Sequence, residues 1–172
     1  MKAVILAGGF GTRLSEETMN QPKPMVRIGD YPILWHIIKI FHHYGVNEFI
    51  ICCGYKGYVI KEYFANYYLH NSDFTIDLAD ASVEIISRES ESWKVTLVDT
   101  GRDTQTGGRL KKVRSLLNDT FLMTYGDGVS DINIEKLLRF HKNAGKYATV
   151  TSVQPPGRFG AIKTSGNLVE YF

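Results

Sequence analysis

The sequence predicts an α/β fold, a mostly parallel sheet flanked by helices. Three observations carry this. Two apolar runs of strand length, Lys2-Ala3-Val4-Ile5-Leu6 and Glu48-Phe49-Ile50-Ile51-Cys52-Cys53, each lead into glycine. Between them, Ile33, Leu34, Ile37, Ile38, Phe41 and Tyr44 recur at helical spacing. Strand, helix and strand in that order form a parallel βαβ unit. The first strand opens into Ala7-Gly8-Gly9-Phe10-Gly11-Thr12-Arg13-Leu14, a loop in which glycines let the backbone approach a ligand closely.

The bulk properties narrow the class. A chain of 172 residues fits one domain, 1–172, and can bury a sizeable core. Hydrophobic residues at 44% and charged residues at 22% describe a globular protein rather than a disordered or fibrous one. A net charge of +2 is too small to point to nucleic acid or an anionic membrane, and neither is expected as a partner. The only cysteines are the neighbours Cys52 and Cys53, which offer no disulfide or metal framework, so a reducing, cytoplasmic setting is expected. No apolar run is long enough to span a bilayer, and the leading one is too short for a signal-peptide core.

Local signals place the remaining elements. Pro22 and Pro24 flank Lys23 and bias the backbone before each proline towards extended conformations, so Lys23 sits on a stiffened chain. Pro32 suits the start of the first helix and Gly45 its end. Tyr58 to Tyr68 reads as a second helix. Phe74-Thr75-Ile76, Val83-Glu84-Ile85-Ile86 and Val95-Thr96-Leu97-Val98 read as short strands in a small β-rich insertion around 74–98. Asp99 to Gly108 reads as a polar loop, and Arg109 to Leu117 resumes helical periodicity. Thr120 to Tyr125 is a strand ending in Gly126-Asp127-Gly128. Ile134 to Lys142 is helical, Tyr147 to Val153 a strand, and 160–163 with 168–171 a hairpin across Ser165-Gly166.

The glycine loop has three readings. A dinucleotide fingerprint needs G-x-G-x-x-G and an acid after the second strand, but Leu14 replaces the third glycine and Cys53-Gly54 the acid. The P-loop pattern is absent. The third reading is a cradle for a polyphosphate, with backbone N–H groups forming an anion site and Arg13 and Lys23 adding cations. Asp127 stands at the carboxyl end of a strand, the edge where open α/β sheets bind ligands. A carboxylate facing a polyphosphate calls for a cation between them, and Mg²⁺ prefers such oxygen ligands. The loop Thr104-Gln105-Thr106-Gly107-Gly108-Arg109 offers groups able to read a nucleobase or sugar hydroxyls. His36, His42, His43, His70 and His141 have neither metal-ligand spacing nor a nucleophile partner.

Gly8-Gly9-Phe10-Gly11-Thr12-Arg13-Leu14 with Pro22-Lys23-Pro24 resembles the signature of the sugar nucleotidyltransferases, also called nucleotide-sugar pyrophosphorylases. Cys53-Gly54-Tyr55-Lys56-Gly57, Val98-Asp99-Thr100-Gly101, Thr106-Gly107-Gly108-Arg109-Leu110-Lys111, Thr124 to Val129 and Pro155 to Gly160 look most like its cytidylyl-transferring members. The resemblance implies a Rossmann-like, nucleotide-diphospho-sugar transferase fold, with 1–172 a single nucleotidyltransferase domain. It also implies a homo-oligomer. The implied partners are CTP and glucose 1-phosphate, the cofactor Mg²⁺, and the setting deoxysugar or O-antigen polysaccharide synthesis. Transfer from dTTP or UTP, and nucleotide binding without catalysis, stand as alternatives.

By that resemblance the catalytic residues are Arg13, Lys23 and Asp127, with Asp127 also the metal ligand. Leu6, Ala7, Gly8, Gly9, Phe10, Gly11, Thr12, Arg13, Lys23, Thr104, Thr106, Gly107, Gly108 and Arg109 would hold the nucleotide. Family members continue past Phe172 into a sugar-phosphate lysine and a second metal aspartate, so a C-terminally truncated chain is the expectation.

Overall fold

The computed structural model describes residues 1–10, 21–88, 91–153 and 162–171. They fall into two compact units, Met1–Ser130 and Asp131–Phe172.

In the first unit four parallel strands form one sheet. They are β1 (Lys2–Ala7), β4 (Glu48–Cys53), β7 (Lys94–Asp99) and β8 (Leu122–Tyr125), in the order β7-β4-β1-β8. The central strands β1 and β4 are apolar on both faces because both faces are covered. By alternation Val4, Leu6, Ile50 and Cys52 share one face, where they pack with Val113. On the other, Trp93 meets both Phe49 and Trp35. Trp35 belongs to helix α1 (Ile33–His43), whose Leu34, Ile37 and Ile38 are buried. Two short pairing strands, β2 (Arg27–Ile28) and β3 (Tyr31–Pro32), precede α1. Pro32 stands at its N-cap, and Gly45 follows it with φ +81°.

The second helical stretch is interrupted. Helix α2 (Gly57–Ala65) stops where the Asn66 side chain donates to Glu62 O at 3.0 Å, and a short α3 (Tyr67–His70) follows. Asparagine competes with the helical ladder through such local bonds.

The expected insertion around 74–98 divides. Among the described residues, strands β5 (Ser72–Asp77) and β6 (Ser82–Arg88) pair only with each other, as an antiparallel hairpin. The last expected strand lies instead in the central sheet, where β7 pairs along all of β4. Its apolar run suits a parallel ladder as well as a hairpin, and single-sequence patterning does not separate the two.

Helix α4 (Thr106–Val113) begins earlier than periodicity predicts, so Thr106 to Gly108 are helical rather than loop. Glycine is a poor helix former, but packing overrides the propensity here. A Cβ on Gly108 would lie 2.8 Å from the Thr104 methyl group.

The second unit contains α5 (Ile134–Ala144), capped by the Asn133 side chain accepting from Lys136 N at 2.8 Å and closed by Gly145 at φ +60°. A hairpin forms from β9 (Lys163–Ser165) and β10 (Leu168–Tyr171), with its first strand later than the expected 160–163, of which 160 and 161 lie outside the described residues. The strand expected over 147–153 does not form. Tyr147, Val150 and Val153 are exposed, and β-propensity alone does not make a ladder. Among the described residues no helix is long and apolar enough to cross a membrane.

Candidate active site

Because β1, β4, β7 and β8 run parallel, their carboxyl ends share one edge, and each ends in a loop containing glycine. A cavity of about 210 Å³ opens there. Leu6, Ala7, Gly8, Gly9, Phe10, Lys23, Thr104, Thr106, Arg109 and Asp127 of the expected site line it together. Gly107 and Gly108 lie in the first turn of α4 beside it, outside the lining. Gly11, Thr12 and Arg13 lie outside the described residues.

Local chemistry explains how Lys23 and Asp127 meet. Lys23–Met25 forms a single 3₁₀ turn after an extended Pro22, closed by Met25 N donating to Pro22 O at 2.8 Å. Pro24 packs against Gly126, where a Cβ would lie 3.1 Å from Pro24 Cγ and 3.2 Å from Leu6 O. Gly126 N donates to Leu6 O at 2.9 Å, which fixes the end of β8 against β1. The outcome is an ion pair, Lys23 Nζ to Asp127 Oδ2 at 3.6 Å. The lysine is the more buried partner, 18% exposed against 44%. Both residues line the cavity, a cation beside an anion.

Arg109 occupies a different position from that of a solvent-facing cation. Its residue is 5% exposed. Nη1 donates to Cys53 O at 3.1 Å, Thr100 Oγ1 at 2.6 Å and Gly101 O at 2.9 Å, and Nη2 to Gly8 O at 2.9 Å and Arg102 O at 3.2 Å. The buried Thr100 hydroxyl itself donates to Cys53 O at 2.7 Å. The guanidinium thus holds the loops after β1, β4 and β7. Glycine is required around it: a Cβ on Gly8 would overlap the guanidinium, and one on Gly54 would lie 2.7 Å from Gly8 O and 2.9 Å from Gly101 O.

Sequence reasoning did not single out Arg102, Asp103 and Tyr125, which also line the cavity. Arg102 stacks at 5.3 Å over the Phe10 ring and 5.8 Å over Tyr55, bracing the glycine loop. Their place at the end of β8 or a few residues beyond the end of β7 is the signal the sequence offers.

The cavity offers carboxylates at Asp103 and Asp127. Among the described residues no group of His, Cys, Asp and Glu forms a protein-only metal cage. Mg²⁺ needs none, since it is held by one or two carboxylates, waters and substrate phosphates, and the Asp127 carboxylate fits that role. Burial pushes the Cys52 and Cys53 thiols up to about 11, which leaves both protonated at neutral pH.

The chain is similar to known proteins along its length. A glucose-1-phosphate cytidylyltransferase from Salmonella typhi is 59% identical over all of this chain, which spans 68% of that protein. A probable glucose-1-phosphate cytidylyltransferase from Bacillus subtilis is 46% identical with the same coverage of 100% and 68%. Among solved structures, HddC from Yersinia pseudotuberculosis complexed with GMP-PN is 25% identical with a TM-score of 0.59. That match covers 81% of this chain and 53% of HddC. The family model described as Nucleotidyl transferase matches residues 2–172. With a glycine-lined cavity at the carboxyl edge of a parallel sheet and a family match along its length, this chain belongs to the nucleotidyl transferase family.

Proposed function

We propose that this chain transfers a cytidylyl group from CTP to α-D-glucose 1-phosphate, giving CDP-glucose and pyrophosphate. The observation that carries the reading is the 59% identity, over all of this chain, to the Salmonella typhi enzyme. The convergence of Lys23, Asp127 and the glycine loop on one cavity supports it.

The reaction needs little from protein nucleophiles. A phosphate oxygen of glucose 1-phosphate attacks the α-phosphorus of CTP, and the bond from that phosphorus to the bridging oxygen of the β-phosphate breaks. Pyrophosphate leaves with the electron pair. Catalysis is then alignment of two anions and stabilisation of the charge that moves. The backbone from Leu6 to Phe10, continuing through Gly11 and Thr12, seats the triphosphate. Arg13 holds the β- and γ-phosphates. Lys23, fixed by its proline brackets, offsets charge at the α-phosphate. Thr104, Thr106 and the first turn of α4 at Gly107 and Gly108 contact the nucleoside, with Arg109 behind them. Mg²⁺ on Asp127, when bound, neutralises phosphate charge so that the two anions can approach.

The same reading includes a homo-oligomer in a cytoplasmic setting. One face of the β5–β6 hairpin carries Phe74, Ile76 and Val83, all exposed, which supports a contact between copies. The free thiols of Cys52 and Cys53 support a reducing compartment. Light scattering checks the first point.

Incubation with CTP, glucose 1-phosphate and Mg²⁺, followed by mass spectrometry, tests the reaction. CDP-glucose and pyrophosphate in equal amounts are expected. Bound CTP with no product would favour a nucleotide-binding module, and product formed only from dTTP or UTP would reassign the nucleotide.

A further inference from the structure

Arg109 is a buried cation that forms no ion pair among the described residues. Its guanidinium is surrounded by four carbonyl oxygens and one hydroxyl, and it pairs with no carboxylate among the described residues. The nearby Cys52 thiol stays protonated at neutral pH and supplies no negative charge. Leaving a buried ion unpaired is costly, and carbonyl dipoles offset only part of the cost. Yet Arg109 lines the cavity into which the glycine loop opens.

The hydrogen bonds point inward while the charge acts outward. Both Nη atoms are committed to the backbone of Gly8, Cys53, Gly101 and Arg102 and to Thr100 Oγ1, so binding a ligand through them would release a loop. An anion in the cavity would instead complete the charge balance and tighten the same bonds. Charge-assisted bonds strengthen in low dielectric, and the cavity becomes drier once filled.

We propose that Arg109 is a positioning residue whose buried charge, in no ion pair among the described residues, is balanced by the nucleotide's phosphates, so that filling the cavity locks the loops after β1, β4 and β7 together. This rests on the nucleotide reading above. It gives Arg109 a part in triphosphate binding without direct contact to the base.

Three proteins separate the possibilities: the parent, Arg109→Lys and Arg109→Met. The probes are CTP and inorganic triphosphate by calorimetry, with hydrogen exchange over residues 54–57 and 100–104. In the parent, either ligand is expected to slow exchange in both segments about tenfold or more. Arg109→Met is expected to weaken CTP and inorganic triphosphate alike, about thirtyfold or more, the scale for removing a buried hydrogen-bonded charge. Arg109→Lys keeps the charge but not the planar fork, so it is expected to keep most of the triphosphate affinity and lose the protection. Arg109→Met that loses CTP but keeps inorganic triphosphate would make Arg109 a reader of the base and overturn the proposal. Should Arg109→Met fail to fold, the parent alone decides: CTP binding without protection of 54–57 and 100–104, or without any binding of inorganic triphosphate, overturns the proposal. A parent that binds neither ligand overturns the nucleotide reading and this inference with it.

Discussion

Lys23→Met separates activity from stability, and the geometry sets both magnitudes. At 3.6 Å the Lys23–Asp127 pair has a gross attraction of about 4–5 kcal/mol at an effective dielectric of about 20. Asp127 is 44% exposed, and solvent screening leaves such a pair about 0–1 kcal/mol of net stability. For a chain of this size that corresponds to at most about 4 °C in Tm. The catalytic share is larger. A fixed donor aimed at charge that develops in the reaction is worth about 3–4 kcal/mol, or about 10²–10³ in kcat. Methionine keeps the length of the stem and removes only the charge, and the turn that holds it is closed by backbone bonds and prolines. The assay is pyrophosphate release from CTP and glucose 1-phosphate, with thermal unfolding on the same samples. Turnover within about threefold of the parent, or a loss of Tm beyond about 10 °C, would refute the reasoning.

Three further outcomes are expected. Asp127→Asn should raise the Mg²⁺ concentration for half-maximal rate about tenfold or more, read from a Mg²⁺ titration of pyrophosphate release, and leave folding intact by circular dichroism. Gly54→Ala should cost about 1–3 kcal/mol in denaturant unfolding, since its Cβ meets two backbone oxygens, whereas Gly9→Ala, with nothing within 4 Å, should leave the midpoint unchanged. Burial lifts the Cys52 and Cys53 thiols from an ordinary 9.0 to about 11, so the unfolded chain ionises first as pH rises. Their share of stability is complete below pH 9 and lost between pH 9 and 11. Denaturation midpoints across that range should fall less steeply for Cys52→Ala/Cys53→Ala, and native thiols should resist alkylation at pH 7.

The features legible in the sequence are those with local causes. The strands β1 and β4, α1 with its proline and glycine ends, and the proline-braced Lys23 arise from short-range pattern. So does the placing of Asp127 after a strand, since the parallel edge collects the residues that succeed each strand. Three features were not legible because their causes are long-range. Whether Val95 to Val98 pairs in a hairpin or beside β4 depends on which edge is free. The start of α4 at Thr106 depends on Thr104 and Arg109, not on the propensity of Gly107 and Gly108. The commitment of Arg109 to backbone oxygens as far as 101 residues from it in sequence leaves no local trace. Exposed Val150 and Val153 show the converse, a β-prone run that pairs with no strand among the described residues.

The central claim is cytidylyl transfer to glucose 1-phosphate, and nucleotide discrimination tests it most directly. With glucose 1-phosphate and Mg²⁺ fixed, kcat/KM is measured for CTP, UTP, dTTP and GTP by pyrophosphate release. CTP is expected to be preferred over each of the others by about tenfold or more, the scale of one well-placed hydrogen bond or pocket contact. Equal rates with UTP or dTTP, or a preference for either, would contradict the claim.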